Sequence, residues 1–322
     1  MSERQRARHG HGAERRRASH RHGAERLDDI RYALAWRLAR TLPAGVTGRG
    51  FRLAADLAAR HGGGPAVGLR RNLARVVPSA TPAELDALVR AGLRSYARYW
   101  CEMFRLRPGD APAVHALMDR GMSGTAPFYA AMEDGRGVVF AVPHSGNWDA
   151  AGVWVVETLR RLGREPVFTT MAQRLRPESL YRRFLAYREA LGFEVVAAEA
   201  GTTAHRALTR RLRSGGVVCL VADRDLSGSG VEVSFFDEPA RFPAGPARLA
   251  ALTGAVLMPA YPHFSRDGWL VPISEPVPVD RTPESVAKAT QAIADAFACL
   301  IARAPQDWHA LQPLWTADVE SR

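Results

Sequence analysis

One histidine and one aspartate, five residues apart, have the types and spacing in this chain that most suggest chemistry. They stand at the two ends of the segment His144-Ser-Gly-Asn-Trp-Asp149. A carboxylate that accepts a hydrogen bond from Nδ1–H of a histidine leaves Nε2 free to act as a base. A base held in this way can deprotonate a hydroxyl group. The sequence therefore predicts that His144 is a general base and that Asp149 orients it.

The elements around this segment predict its place in the fold. The apolar run Val138 to Val142 lies between Gly137 and Pro143, which is typical of a buried strand, and a helix is expected over residues 150–161. Open α/β sheets build their sites where strands end, so we expect His144 at such an end. Asp149 would lie at the start of the helix, where the helix dipole favours a charged carboxylate.

The pattern along the rest of the chain predicts an α/β fold, with a mostly parallel sheet flanked by helices. Residues 27–318 form one predicted domain, with a mostly helical part over 27–134 and an α/β core over 135–318. Further strands are expected at 166–170, 194–197, 217–222, 231–236, 255–261 and 269–273, and helices at 27–42, 51–60, 67–76, 82–106, 177–191, 203–214 and 285–304. Thr81 and Glu84 predict a capping box before the helix 82–106.

The charge of the chain predicts an anionic partner or surface. Its 44 basic and 33 acidic residues give a net charge of +11, and residues 1–26 alone hold eight arginines against three glutamates. This segment reads as a disordered basic tail, which either aids solubility or attracts anions. In the helix 27–42, leucines share one face and Trp36 stands among arginines. This pattern is typical of an interfacial membrane helix, and equally of a helix packed on the domain.

Several classes of protein and site are disfavoured by the sequence. The three cysteines are far apart, which argues against a disulfide scaffold and for a reducing compartment. No metal-ligand spacing, phosphate-binding loop or RNA-binding signature is present, so we expect no metal, no bound cofactor and no nucleic-acid partner. No apolar run approaches the roughly 18 to 20 residues of a membrane-spanning helix. Ser145 lacks the G-x-S-x-G context of a serine nucleophile, which leaves a serine hydrolase as a minor alternative.

Arginines near the predicted site suggest a phosphorylated ligand. Arg174 and Arg188 belong to an arginine-rich region around the helix 177–191. A guanidinium group matches phosphate oxygens, so these side chains could bind the phosphates of coenzyme A or of an inositol phosphate. In a chain so rich in arginine, a solvated helix face is the competing interpretation.

Beyond these patterns, the chain resembles the bacterial lipid acyltransferases related to the lipid A lauroyl and myristoyl transferases. The likeness extends over roughly residues 27–318 and is greatest to the actinobacterial branch that acylates phosphatidylinositol mannosides. The segments that carry it are the box Pro143 to Asp149, Arg70-Arg-Asn-Leu73, Phe168-Thr-Thr, Pro177-Glu-Ser-Leu-Tyr181, Val221-Ala-Asp-Arg-Asp-Leu226, Phe235-Phe236, Arg241-Phe-Pro-Ala-Gly-Pro-Ala-Arg-Leu-Ala250, Thr253-Gly-Ala-Val-Leu-Met-Pro259 and Asp307-Trp-His-Ala-Leu-Gln-Pro-Leu-Trp315.

This resemblance implies transfer of a fatty acyl chain from acyl-CoA, as co-substrate, to the 6-hydroxyl of a mannose on a membrane glycolipid. His144 would deprotonate that hydroxyl for direct attack on the thioester, without an acyl-enzyme. Asp223, where relatives usually have glutamate, could hold His144 or its neighbourhood from a second strand. The matching segments also make Arg224 and Gly245 candidate substrate-binding residues, whereas Ala244 replaces an acidic residue of the wider family.

The resemblance also implies where such an enzyme works. With a membrane-bound acceptor and no predicted spanning helix, we expect a peripheral protein on the cytoplasmic face of the membrane, docked on its anionic surface. Two alternatives stay open at this point: an acyltransferase that takes its acyl chain from acyl carrier protein and acts on another glycolipid, and a non-catalytic peripheral membrane-binding protein.

Overall fold

The fold is given by a computed structural model that describes residues 30, 34, 36–174, 178–225 and 228–320. Its helices are α1 (Ala44–His61), α2 (Gly64–Val76), α3 (Pro82–Arg105), α4 (Ala111–Asp119), α5 (Ala126–Glu133), α6 (Trp148–Arg161), α7 (Glu178–Ala190), α8 (Thr202–Arg213), α9 (Gly245–Thr253), α10 (Pro283–Arg303) and α11 (Thr316–Glu320). Its strands are β1 (Met122–Ser123), β2 (Val138–Val142), β3 (Phe168–Ala172), β4 (Phe193–Ala197), β5 (Val217–Val221), β6 (Val231–Phe235), β7 (Glu238–Phe242), β8 (Val256–Pro259), β9 (His263–Phe264) and β10 (Trp269–Pro272).

A five-stranded sheet forms the centre of the molecule, in the order β4-β3-β5-β2-β8, and every pairing in it is parallel. Strand β2 is buried along its whole length and lies between β5 and β8. Parallel sheets bury both faces under the helices that connect their strands, which explains why these strands read as continuous apolar runs. The prediction of a mostly parallel sheet flanked by helices is confirmed.

Successive residues of β2 divide the core between the two faces of the sheet, because side chains alternate along a strand. Phe140 belongs to a core cluster with side chains of α3, α6 and α7, including Trp154 and Phe184. Val139 belongs to a second cluster on the other face, with side chains of α8, α9 and α10, including Phe297. The site described below lies where the sheet ends, above both clusters.

The amino-terminal helices pack largely on one another and then on the sheet. Thr81 caps α3 as predicted, since its side chain accepts the amide of Glu84 while the Glu84 carboxylate accepts the amide of Thr81. A third cluster buries Leu69, Leu73 and Leu93 between α2 and α3. Gly68 lets the backbone of Leu311 approach α2 closely, and Gly92 leaves room on α3 for the side chain of Leu69.

Several elements differ from the sequence-based expectation. The strand expected at 166–170 begins only at Phe168, and the strand expected at 231–236 pairs antiparallel with β7 instead of joining the parallel sheet. Strands β1, β7 and β9 and helices α4, α5, α9 and α11 were not predicted. The β6–β7 turn is tight because Phe236 and Asp237 adopt φ values of 49° and 62°, and neither residue type signals a two-residue turn as glycine does.

Trp36 does not face outward, as the membrane-helix interpretation required. Its ring lies 5.1 Å from that of Phe104, 5.6 Å from that of Phe184 and 5.5 Å from that of Tyr187, measured between centroids. The residue is half-buried because the indole fills a gap between α3 and α7. Of the helix expected at 27–42, the described residues are helical as far as residue 41.

Helix α10 departs from the expectation that no segment could span a membrane. By length and composition this 21-residue helix is apolar enough to do so, with a mean hydropathy of 1.2 over its most apolar window. Its residues Ala294, Phe297 and Ile301 are nevertheless buried in the second core cluster. Burial in a domain core accounts for an apolar helix as well as a membrane does. The predicted basic tail of residues 1–26 lies outside the described residues, as does Pro177.

Candidate active site

The register between β2 and β5 places a histidine opposite an aspartate. Val142 is the Cα partner of Val221, and each is the last residue of its strand. His144 and Asp223 each follow two residues later, so they leave the same edge of the sheet side by side. His144 Nδ1 and Asp223 Oδ1 are 2.6 Å apart.

Asp223 is a buried acceptor for three donors. Besides the imidazole, its Oδ2 accepts the backbone amide of His144 and the indole Nε1–H of Trp308, both at 3.0 Å. Burial alone would raise the pKa of Asp223, but the charge of His144 and these hydrogen bonds more than compensate, and the pKa is lowered. The carboxylate therefore stays charged and accepts a hydrogen bond from Nδ1–H of His144.

His144 is consequently held in the tautomer that a general base needs. With Nδ1 bound to Asp223, the lone pair of Nε2 is available, and the side chain is 48% exposed. The part of the ring that is shielded from water favours the neutral form and would lower the pKa of His144, but the Asp223 charge and hydrogen bond outweigh this and raise the pKa above its ordinary value. Asp223 thus makes the imidazole a stronger base and stabilises the imidazolium that forms when it takes a proton.

The prediction that Asp149 orients His144 is wrong. Asp149 is fully buried, and its Oδ1 accepts Nε of Arg188 at 2.9 Å while its Oδ2 accepts the Tyr99 hydroxyl at 3.0 Å. As the second residue of α6, it points toward α3 and α7 and away from the end of β2. Asp149 holds three helices together at the base of the site.

The same ion pair corrects the phosphate-binding role predicted for Arg188. Its guanidinium is buried, pairs with Asp149 and stacks on the ring of Trp148 at 4.3 Å. With Nε committed to Asp149 and only 10% of the side chain exposed, Arg188 is not the exposed guanidinium that the phosphate-binding prediction assumed. The other predicted arginine, Arg174, lies in a different environment. It is exposed and pairs with Glu178.

The other predicted site residues lie near the same edge or remain on the surface. Arg224 follows Asp223 directly, is half-buried and bonds to the side-chain oxygen of Gln312. Gly245 is the exposed first residue of α9. Ser145 is buried, and its hydroxyl donates to the carbonyl of Pro143 at 3.4 Å, which does not suit a nucleophile. Their roles in binding substrate stay predictions.

The turn between His144 and α6 depends on Gly146. Its φ is +48°, and a Cβ at this position would lie 2.4 Å from the carbonyl oxygen of Pro262. The Gly146 amide donates to the carbonyl of Asp307, while the Asn147 side chain caps α6 and donates to Glu102. The turn is fixed by contacts on both sides, which holds the backbone of His144 in place.

A narrow apolar cavity of about 40 Å³ lies beneath this turn. Its walls are one face of β2, β3 and β5 together with α6 and the segments around β10, and no charged side chain lines it. Cys219 is one of its wall residues, and burial raises the pKa of the thiol, which leaves it neutral. The lining residues include Phe140, Val142, Trp148, Gly152, Phe168 and Ile273.

The sequence reasoning missed a second polar group beside His144. The Ser95 hydroxyl lies 2.6 Å from Oδ1 of Asp307 and 2.9 Å from Nε2 of His309. Asp307 also accepts the amide of Phe264, and its burial raises its pKa. The segment Asp307-Trp-His309 was noticed only as part of a family resemblance, because nothing in its spacing connects it with a serine more than 200 residues earlier.

Comparison with known proteins shows which proteins this chain is similar to. Residues 16–317 match the family described as bacterial lipid A biosynthesis acyltransferase. A phosphatidylinositol mannoside acyltransferase of Mycobacterium tuberculosis is 47% identical over 296 residues, which cover 91% of this chain and 90% of that protein. The protein of the same name from Mycolicibacterium smegmatis is also 47% identical, over 91% of this chain and 93% of its own length.

We predict that Asp223→Asn lowers the pKa of His144. The charge that stabilises the imidazolium is lost while the burial that opposes it remains. A pH titration of the imidazole resonances, with ¹⁵N-labelled histidine, measures this directly. Asp149→Asn is the control and should leave the pKa of His144 close to its wild-type value. Equal shifts in both variants would contradict the pairing with Asp223.

Asp149→Asn should instead destabilise the fold, because it leaves the buried Arg188 charge without its counter-ion. Removing one partner of a buried ion pair costs about 3 kcal/mol or more. Urea unfolding measures the change in free energy, and the double variant Asp149→Asn/Arg188→Met should recover much of it because no buried charge is left. A loss in the double variant as large as in the single one would argue against the ion pair as its cause.

Proposed function

Because this chain belongs to the bacterial lipid A biosynthesis acyltransferase family and is an acyltransferase, we propose that it transfers a fatty acyl chain from acyl-CoA to the 6-hydroxyl of a mannose on a phosphatidylinositol mannoside. The observation that carries the proposal is the His144–Asp223 pair, which leaves Nε2 available at the open end of the sheet. The names of two relatives that are 47% identical support the acceptor.

In the proposed reaction, Nε2 of His144 takes the proton of the acceptor hydroxyl as its oxygen attacks the thioester carbonyl carbon. Asp223 stabilises the imidazolium at this stage. The tetrahedral intermediate then collapses and the carbon–sulfur bond breaks. The leaving thiolate takes from Nε2 the proton that came from the acceptor hydroxyl. The ester and the free thiol leave, and the imidazole is again neutral, so protein groups supply all the acid–base chemistry.

The surroundings of His144 support separate approaches for the two substrates. The apolar cavity beneath the turn is lined by hydrocarbon and aromatic groups, the surroundings that an acyl chain requires, and at about 40 Å³ it would have to widen to admit one. The exposed face of the imidazole remains open to a polar acceptor. Arg224, one residue from Asp223, and the exposed Arg174 are the arginines we propose for phosphate groups of the donor or acceptor.

We further propose that the protein docks on the cytoplasmic surface of the membrane through its amino-terminal helices. Val46, Leu53 and Leu57 are exposed on α1, and Leu53 reaches 64% exposure. At 100° per residue, Arg49 and Arg60 fall on the same face of this helix as these three side chains. Leu34, Leu38 and Leu42, spaced four residues apart, are exposed on the preceding helical segment. We call these apolar and arginine side chains the docking face.

The docking face has the composition of a surface that binds anionic lipid. Its leucines and valine can enter the acyl region of one leaflet, while each arginine close to an anionic surface contributes on the order of 1 kcal/mol. This proposal replaces the role first predicted for Trp36, whose ring is committed to α3 and α7. The exposed leucines of the predicted helix remain part of the proposed docking face, and the exposed face of α1 is added to them.

Acyl transfer is the direct test of the proposed reaction. We expect the purified protein to convert mannosylated phosphatidylinositol and radiolabelled palmitoyl-CoA to an acylated product, seen by lipid chromatography. His144→Ala should reduce the rate by about 10² to 10⁴-fold because the base is lost. His205→Ala, at an exposed histidine of α8, should match wild type. Retained activity in His144→Ala with unchanged circular dichroism would contradict the mechanism. Transfer from acylated acyl carrier protein but not from palmitoyl-CoA would show that the donor is acyl carrier protein.

Vesicle sedimentation tests the docking face. Leu53→Glu/Leu57→Glu should bind anionic phospholipid vesicles more weakly than wild type, and wild-type binding should weaken as salt is raised to about 0.5 M. Leu162→Glu changes another exposed leucine, at the far end of α6, and should bind as wild type does. Equal binding by all three proteins would show that docking uses a different surface.

A further inference from the structure

A second imidazole, that of His309, lies beside the general base. The backbone amide of His309 donates to the carbonyl of His144 at 2.7 Å, so the two residues are neighbours although they are far apart in sequence. The ring of His309 packs against those of Tyr96 and Tyr99, with centroids 5.3 Å and 6.1 Å away. The proposed reaction gives this side chain no role.

Hydrogen bonding fixes which nitrogen of His309 carries the proton. In its ionised form Asp307 accepts at both oxygens, from Ser95 and from the amide of Phe264, and it then takes the only proton of the Ser95 hydroxyl. The 2.9 Å contact between Ser95 and Nε2 of His309 then requires Nε2 to be the donor. Nδ1 is left as an acceptor.

His309 also remains neutral during the reaction. Burial and, next, the positive charge of His144 lower its pKa to about 3. Protonation of the general base therefore makes a second protonation, at Nδ1 of His309, still less favourable. A neutral imidazole of fixed tautomer is an acceptor at one nitrogen and a donor at the other.

Nδ1, the other ring nitrogen of His309, belongs to a half-buried side chain. It lies across the ring from the nitrogen that binds Ser95, and it makes no hydrogen bond within the described part of the chain. Nδ1 of His115 is sealed from solvent without a hydrogen-bond partner, and Nδ1 of His309 is not sealed in this way. An accessible acceptor next to the general base can bind a donor group of the substrate.

We propose that Nδ1 of His309 accepts a hydrogen bond from a second hydroxyl of the acceptor sugar and so positions the reacting hydroxyl at Nε2 of His144. This inference rests on the proposed function, in which a sugar hydroxyl is acylated. On a mannose whose 6-hydroxyl reacts, the 4-hydroxyl is the nearest of the ring hydroxyls. His309 would then select acceptors by binding a group that does not itself react.

The first test concerns the tautomer and needs no substrate. Long-range ¹H–¹⁵N spectra of the ¹⁵N-histidine-labelled protein should show His309 as the neutral Nε2–H form from pH 6 to pH 8, with no titration, whereas His144 titrates. Ser95→Ala should remove the preference for the Nε2–H tautomer and leave the ring neutral. A His309 signal that titrates near pH 6.5, or that carries its proton on Nδ1, would overturn the assignment.

The second test separates the two nitrogens. The oxygen of Asn occupies the place of Nδ1, and the amide nitrogen of Gln occupies that of Nε2. His309→Gln should therefore lower kcat/KM for the mannosylated acceptor by about fivefold or more, as expected for one lost hydrogen bond. His309→Asn should retain more of it. Neither variant should change the KM for palmitoyl-CoA.

A deoxy acceptor distinguishes binding from a structural effect. With an acceptor whose mannose lacks the 4-hydroxyl, wild type should slow by the same factor, and His309→Gln should cause no further loss. An undiminished loss in His309→Gln on the deoxy acceptor would overturn the sugar contact. If wild type acylates no mannoside, the proposed function fails, whereas the tautomer result stands or falls independently.

Discussion

The parallel pairing of β2 with β5 is the constraint on which the site depends. It sets the ends of the two strands at the same level, so that the residues two positions beyond each end, His144 and Asp223, meet at 2.6 Å. A shift of one residue in this register would turn β2 over and move the imidazole away from its carboxylate. The buried strands that flank β2 on both sides prevent such a shift.

Two buried aspartates near this edge have different functions because their partners differ. Asp223 accepts neutral donors and an imidazole that can gain a proton, so its charge is available to the chemistry. Asp149 is already neutralised by Arg188 and bonded to Tyr99, so its charge is used in joining helices. Every buried carboxylate needs a partner that compensates its charge. The kind of partner decides whether that charge can still act on a substrate.

The polar groups behind His144 make its position rigid. Asp307 links Ser95 of α3, the amide of Phe264 and, through its own carbonyl, the amide of Gly146. These contacts connect the amino-terminal helices, the small sheet of β9 and β10, and the turn that carries the base. An acid–base group must be held closely to be effective, and here one buried aspartate contacts three of the segments around His144 through its carboxylate and its carbonyl.

The sequence alone determined the α/β class, the buried strand before His144 and the position of this histidine at the strand end, because apolar runs, prolines and a histidine after a strand are local signals. It could not determine strand order, and strand order decides which carboxylate the histidine meets. Asp149 is near in sequence but belongs to a helix that points it at Arg188. Asp223 is 79 residues away and becomes a neighbour only when β5 pairs with β2. His309 likewise reaches the site through long-range packing, which leaves no periodic trace in the sequence.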